Sequence, residues 1–152
     1  MTNYLSLPPD RWLSLILRLS LSLLVGAIIG WERQQRHKPA GLRTHMLVSF
    51  GAALFVLIPI QLSTAQNEAD SIARVIQGVA TGIGFLGGGE ILRGREPDSG
   101  LAEIRGLTSA AAIWVTAALG IAAGCGLWQL SLIGAALSWL ILKILKKFEP
   151  HV

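Results

Sequence analysis

The stretch WLSLILRLSLSLLVGAIIGW, Trp12 to Trp31, decides the fold; its twenty residues hold a single charge, Arg18. As a helix rising about 1.5 Å per residue, such a run matches the roughly 30 Å hydrocarbon core of a bilayer. Four more apolar runs follow: Thr44 to Leu62, Ile72 to Leu92, Leu107 to Gly124 and Leu127 to Leu142. The breaks between them are polar or glycine-rich and too short to hold a soluble domain. The expected fold is all-α, a polytopic transmembrane helix bundle of five spans forming a single domain over residues 1–152. Composition points the same way. The 152 residues are 52% hydrophobic and 14% charged, with mean hydropathy +0.56, whereas soluble domains carry about 25% charged residues.

Pro8 and Pro9 suit a first helical turn, where a missing N–H is no loss. No small-residue cleavage site follows a short apolar core near the amino end, so this segment is expected to stay as the first span. The lone Cys125 excludes a disulfide framework within the chain, and no CxxC or Cys/His ligand spacing occurs. No metal site and no cofactor are expected. The formal charge of +4 comes from bases scattered beside apolar runs, a pattern that orients a membrane chain and gives no reason to expect a nucleic-acid partner.

Sidedness follows from the Lys and Arg of the short loops. Arg33, Arg36, Lys38, Arg43, Arg93, Arg95, Arg105, Lys143, Lys146 and Lys147 gather on one side, against Arg11 and Arg74 on the other. The rule that basic loops stay in the cytosol then puts the amino end outside and the carboxyl end inside. The last two runs are separated only by Gly124-Cys125-Gly126. A re-entrant pair there would turn Lys143, Lys146 and Lys147 outward, against the charge balance.

Between apolar helices in lipid, close backbone approach and interhelical hydrogen bonds drive association. Gly26 and Gly30, Gly78 and Gly82, and Gly120 and Gly124 each have GxxxG spacing. The first, third and fourth spans are therefore expected at the centre of the bundle. Trp12, Trp31, Trp128 and Tyr4 fall near span ends, where amphipathic rings favour the headgroup level. Trp114 and Trp139 lie deeper and are expected to pack internally.

The third run ends Gly82-Ile83-Gly84-Phe85-Leu86-Gly87-Gly88-Gly89-Glu90. Glycine at this density either unwinds a helix beside a cavity or permits a tight helix crossing, and both readings stand. Glu90 is read as the one carboxylate within a span. An intramembrane acid is a functional candidate, while Arg93 at i+3, or Arg43 or Arg105 across the loops, offers it an interfacial partner. The loop from Trp31 to His45 is the densest polar segment. Its bases suit anionic headgroups, a protein partner, or plain solvation. Arg18 is placed to snorkel outward.

Four stretches carry a resemblance: GAIIGWER at 26–33, KPAGLRTHMLV at 38–48, GIGFLGGG at 82–89 and RGLTSAAAIW at 105–114. In this order they resemble the MgtC/SapB family of bacterial membrane proteins. Better-known members carry a soluble carboxyl-terminal domain, so a short form is expected here. The glycine segment of the family usually reads GFLGAG before an apolar residue, whereas Gly88 and Glu90 occupy those places here. The resemblance implies a multi-pass protein of the bacterial inner membrane, tied to low-magnesium adaptation and magnesium homeostasis, that acts on the proton-driven ATP synthase.

The residues taken as candidates for partner or ligand contact are Glu32, Arg43, Thr44, Gly84, Gly87, Gly88, Glu90, Arg93, Arg105 and Thr108. One functional reading is a regulatory protein working by helix contact within the bilayer. The other is a small cation transporter or channel, with a homo-oligomer gathering several Glu90 carboxylates around an axis. His37, His45 and His151 form no Ser/His/Asp or Cys/His arrangement, so no catalytic residue and no enzyme are expected.

Overall fold

The structure is a computed structural model that describes residues 9–62, 67–93 and 106–144. Five helices follow one another: α1 Pro9–Gln35, α2 Leu42–Leu62, α3 Glu68–Arg93, α4 Leu107–Gly124 and α5 Trp128–Ile144. No strand occurs among the described residues. Three helices are long and apolar enough to cross a membrane, spanning Arg11–Gln35, Leu42–Leu62 and Leu107–Gly124, and α5 is a shorter apolar helix.

Helix α1 runs four residues beyond the expected Trp31 and ends in a Schellman arrangement. His37 adopts the left-handed conformation, its N–H reaching Gln34 O at 3.1 Å, while Lys38 N–H reaches Arg33 O at 3.1 Å. Gly126, at φ 81°, closes α4 in the same way: its N–H donates to Ala123 O at 3.0 Å, and Leu127 N–H to Ala122 O at 2.9 Å. The chain reverses there, and α5 returns along α4. Helix α3 begins four residues before the expected Ile72, its first turn carrying Glu68 and Asp70, acids that suit the positive end of a helix dipole.

Helix α4 touches all four others and forms the axis of the bundle. On one side Val25, Ile29, Ala112, Leu119 and Ala135 join α1, α4 and α5. On the other, Ala40, Ala52, Ile83, Ile113 and Ala117 join the α1–α2 turn, α2, α3 and α4. The core is rich in alanine, and large apolar side chains turn outward: Phe85, Leu62 and Leu47 are 84%, 70% and 68% exposed. A surface of this kind suits hydrocarbon, where apolar exposure carries no penalty.

The central trio is α1, α2 and α4, which corrects the expectation that α3 would share the centre. A Cβ on Gly26 would lie 2.7 Å from His45 O, and one on Gly30 2.8 Å from Leu42 Cα. A Cβ on Gly120 would collide with Ser49 O, and one on Gly124 would lie 2.8 Å from Ala53 O. Both glycine pairs therefore grip α2, whose Ser49, Ala52 and Ala53 are small enough to receive them. A helix with no GxxxG of its own becomes the one that is clamped. Among the described residues nothing lies within 4 Å of a Cβ on Gly78 or Gly82, so the third pair makes no close crossing with them.

Among the aromatics, Trp12, Trp31 and Trp128 are exposed. Trp114 is also exposed, at 54%, so the expected internal packing does not hold for it. Nor does it hold for Trp139, which is exposed and has Lys143 Nζ 4.3 Å from its ring centroid. Tyr4 lies outside the described residues. Arg18 Nη1 donates to Gly124 O at 3.0 Å, so the guanidinium caps the C-terminal end of α4.

Candidate functional site

Glu32 lies in the last turn of α1, and Arg36, four residues on, is the first residue past its end. Glu32 is 4% exposed and Arg33 2%. The Glu32 carboxylate accepts from Arg36 Nε through one oxygen and from Arg33 Nη1 at 3.4 Å through the other. Arg33 Nη2 donates to Ser109 Oγ on α4 at 3.2 Å, and Arg36 Nη2 to Lys143 O on α5 at 3.4 Å. One buried acid thus joins two cations that reach two other helices. These contacts hold the final turn of α1, where the sequence reading placed the start of a polar loop. They also correct the reading of Glu90 as the one carboxylate in a span, because Glu32 lies within α1 and is more deeply enclosed.

Next to this cluster the buried polar groups are incompletely paired. His45 Nδ1 lies 2.9 Å from Gly41 O. His45 Nε2, Ser49 Oγ and Arg33 Nε have no hydrogen-bond partner among the described residues. His45 and Ser49 are one turn apart on α2, facing the glycines of α1 and α4. The hydroxyls of Ser22 and Thr116 donate to carbonyls of their own helices, Leu19 O at 2.7 Å and Ala112 O at 2.7 Å.

The α1–α2 turn also shapes two open cavities. Gln34 Oε1 accepts the Leu42 N–H at 3.3 Å, capping α2. A cavity of about 490 Å³ beside it is bordered by Trp31, Gln34, Pro39, Arg43 and Thr44. A second, of about 280 Å³, lies between the turn and α3 and is bordered by Pro39, Thr44, Phe85, Gly89 and Glu90. Leu86 borders this one and also a groove of about 630 Å³ between α2 and α3, walled by Phe55, Val75, Val79 and the bare backbone of Gly51, Gly78 and Gly82.

Of the sequence candidates, Thr44 and Glu90 share a cavity wall, and Thr44 and Arg43 share the other. Arg43 is exposed, Glu90 half-buried, and no ion pair joins them among the described residues. Thr108 is exposed at the start of α4. The Arg93 side chain and all of Arg105 lie outside the described residues. The glycine segment is unbroken α-helix through Arg93, so the unwound reading does not hold. A Cβ on Gly87 would lie 3.5 Å from Ala110 Cβ, an ordinary contact with α4, while Gly84 and Gly88 have nothing within 4 Å among the described residues. Gly106, at φ 92°, presses the start of α4 onto Glu90 O, which a Cβ there would meet at 2.9 Å.

Arg33, Arg36, Ser109, His45 and Ser49 were absent from the sequence-derived set. The i, i+4 spacing of Glu32 with Arg36, and of His45 with Ser49, was the available signal. Which loop bases fold back against the bundle depends on where α1 ends, and the cap that ends it involves His37 in a conformation that composition does not announce.

Comparison with known proteins adds to this geometry. The SrpB protein of Synechococcus elongatus is 49% identical over 152 residues, covering 97% of this chain and 83% of that protein. The YhiD protein of Escherichia coli K12, named there as a candidate magnesium transporter, is 39% identical over 133 residues. The MgtC protein of Salmonella typhimurium is 43% identical over 111 residues. The chain spans 59% of YhiD and 43% of MgtC. No solved structure matches. The model of the MgtC family matches residues 19–151, a stretch that takes in all five helices apart from the first turns of α1, and the chain belongs to the MgtC family.

Proposed function

We propose that this chain is a regulatory protein of the bacterial inner membrane, linked to low-magnesium adaptation, that acts by contact between helices within the bilayer and not by catalysis. Its five helices cross the membrane with the amino end outside and the carboxyl end inside, and its partner is a membrane complex such as the proton-driven ATP synthase. The observation that carries this reading is the outer face of α3. Gly84 and Gly88 are four residues apart and uncovered by any described residue, while the glycine pairs of α1 and α4 are spent on holding α2. An unused GxxxG face on an edge helix lets a foreign helix approach to backbone contact.

Co-purification from native membranes in mild detergent, with mass spectrometry, tests it. Gly84→Leu and Gly88→Leu meet no neighbour among the described residues, so the bundle is expected to survive while the partner is lost. Undiminished recovery of the partner with both variants would refute docking on this face. The second reading, cation transport, is favoured by Glu90 beside the cavity at Thr44 and by the label that YhiD carries. Magnesium usually engages more than one carboxylate, and no three His, Cys, Asp or Glu converge among the described residues. Flux in reconstituted vesicles that Glu90→Gln abolishes would favour transport.

A further inference from the structure

The two cavities at the α1–α2 turn and the α2–α3 groove form a chain through shared residues. Pro39 and Thr44 border both cavities, and Leu86 borders the second cavity and the groove. Polarity changes in order along this path. The first cavity presents the Arg43 guanidinium, the Thr44 hydroxyl and the Gln34 amide; the second presents the Glu90 carboxylate; the groove is walled almost wholly by aliphatic and aromatic carbon and glycine backbone. A cation and an anion at the head of an apolar slot are together the complement of a zwitterionic headgroup that carries a hydrocarbon chain.

We infer that this path is a binding site for one aminophospholipid with a phosphoethanolamine headgroup. Its phosphodiester lies against Arg43 and Thr44, its primary ammonium reaches Glu90, and an acyl chain occupies the groove over Gly78 and Gly82. The Glu32 carboxylate is committed to Arg33 and Arg36, and no ion pair takes up Arg43 among the described residues, which leaves its charge for an outside phosphate. Guanidinium suits that task because its planar donors match phosphate oxygens. Glu90 discriminates among headgroups. It repels one with net negative charge, and it takes hydrogen bonds from a primary ammonium that a quaternary one cannot give. Glycine at 51, 78 and 82 explains why the slot exists, since side chains there would fill it. The site does not compete with partner docking: Gly84 lies two residues beyond Gly82, roughly 160° around the helix.

Native mass spectrometry of the full chain in detergent, titrated separately with palmitoyl-oleoyl phosphatidylethanolamine, phosphatidylcholine and phosphatidylglycerol and with free phosphoethanolamine, tests the inference. The ethanolamine lipid is expected to be retained about tenfold more tightly than the other two, the effect of one charge-assisted contact. Arg43→Gln is expected to weaken retention about tenfold, and Glu90→Gln to erase the preference for ethanolamine. Gly82→Leu, which meets nothing among the described residues, is expected to release the lipid by filling the slot. Equal retention of the three lipids, a preference that survives Glu90→Gln, or free phosphoethanolamine binding as tightly as the whole lipid would each overturn it.

Discussion

Replacing Glu32 by leucine removes the only acid that faces the Arg33 guanidinium among the described residues, while Arg33 stays 2% exposed with Ser109 as its remaining partner. Breaking a buried pair by deleting one member costs about 3–5 kcal/mol, because a charge is left without compensation, whereas replacing both members by apolar side chains is close to neutral. Arg36, the other partner of Glu32, has a side chain 28% exposed and can turn to water, so its loss is worth about 1 kcal/mol or less. The expected order of stability is therefore wild type, Arg36→Leu slightly below it, the double variant Glu32→Leu/Arg33→Leu within about 1–2 kcal/mol of wild type, and Glu32→Leu lowest. Titration of the purified protein from mild detergent into dodecyl sulfate, followed by tryptophan fluorescence, measures this order. If Glu32→Leu and the double variant were equally unstable, uncompensated charge on Arg33 would not be the cause. If Glu32→Leu cost less than about 1 kcal/mol, the acid would not be a buried hub at all.

Other expected outcomes follow from the glycines, Arg18 and Cys125. Gly120→Ala sets a methyl against the backbone of Ser49 and should destabilise by about 1–3 kcal/mol, whereas Gly78→Ala meets open space and should stabilise by roughly 0.5–1 kcal/mol through helix propensity; the same unfolding titration separates them, and equal effects would argue against α2 as the clamped helix. Arg18→Leu removes the donor to Gly124 O and should cost about 1–2 kcal/mol, with Arg18→Lys restoring part of it; an unchanged midpoint for Arg18→Leu would show that the capping contact is idle. Burial pushes the Cys125 thiol up, with the nearby Arg18 only partly opposing this. A raised thiol is less ionised at neutral pH, so maleimide labelling in detergent should climb only at higher pH than for an exposed cysteine, and a profile like that of a free thiol would contradict the burial.

The fold was legible because bilayer length is written into apolar run length. The runs at 12–31, 44–62, 72–92, 107–124 and 127–142 each fall within a helix except at the single residue Leu127, which belongs to the α4–α5 corner. Glycine spacing marked α1 and α4 as helices that approach a neighbour closely, marked α3 wrongly, and did not show what any of them approaches. A GxxxG motif specifies one half of a contact, and Gly26, Gly30, Gly120 and Gly124 all found α2, which has no such motif. The charged site was legible only in part. Glu32, Arg43, Thr44 and Glu90 stood out by residue type, but burial of Glu32 and Arg33 depends on the end of α1 packing against α4 and α5. That arrangement is set by tertiary contacts, beyond the reach of local pattern.

The functional claim rests on an outer face of α3 that another protein covers. A photoreactive amino acid at Gly88, on that face, and another at Leu137, exposed on α5, can be activated in native membranes and the products compared. The expected result is one discrete heavier product from position 88, containing a subunit of a membrane complex, with only lipid adducts from position 137. Lipid adducts alone from both positions would contradict a docked partner on α3.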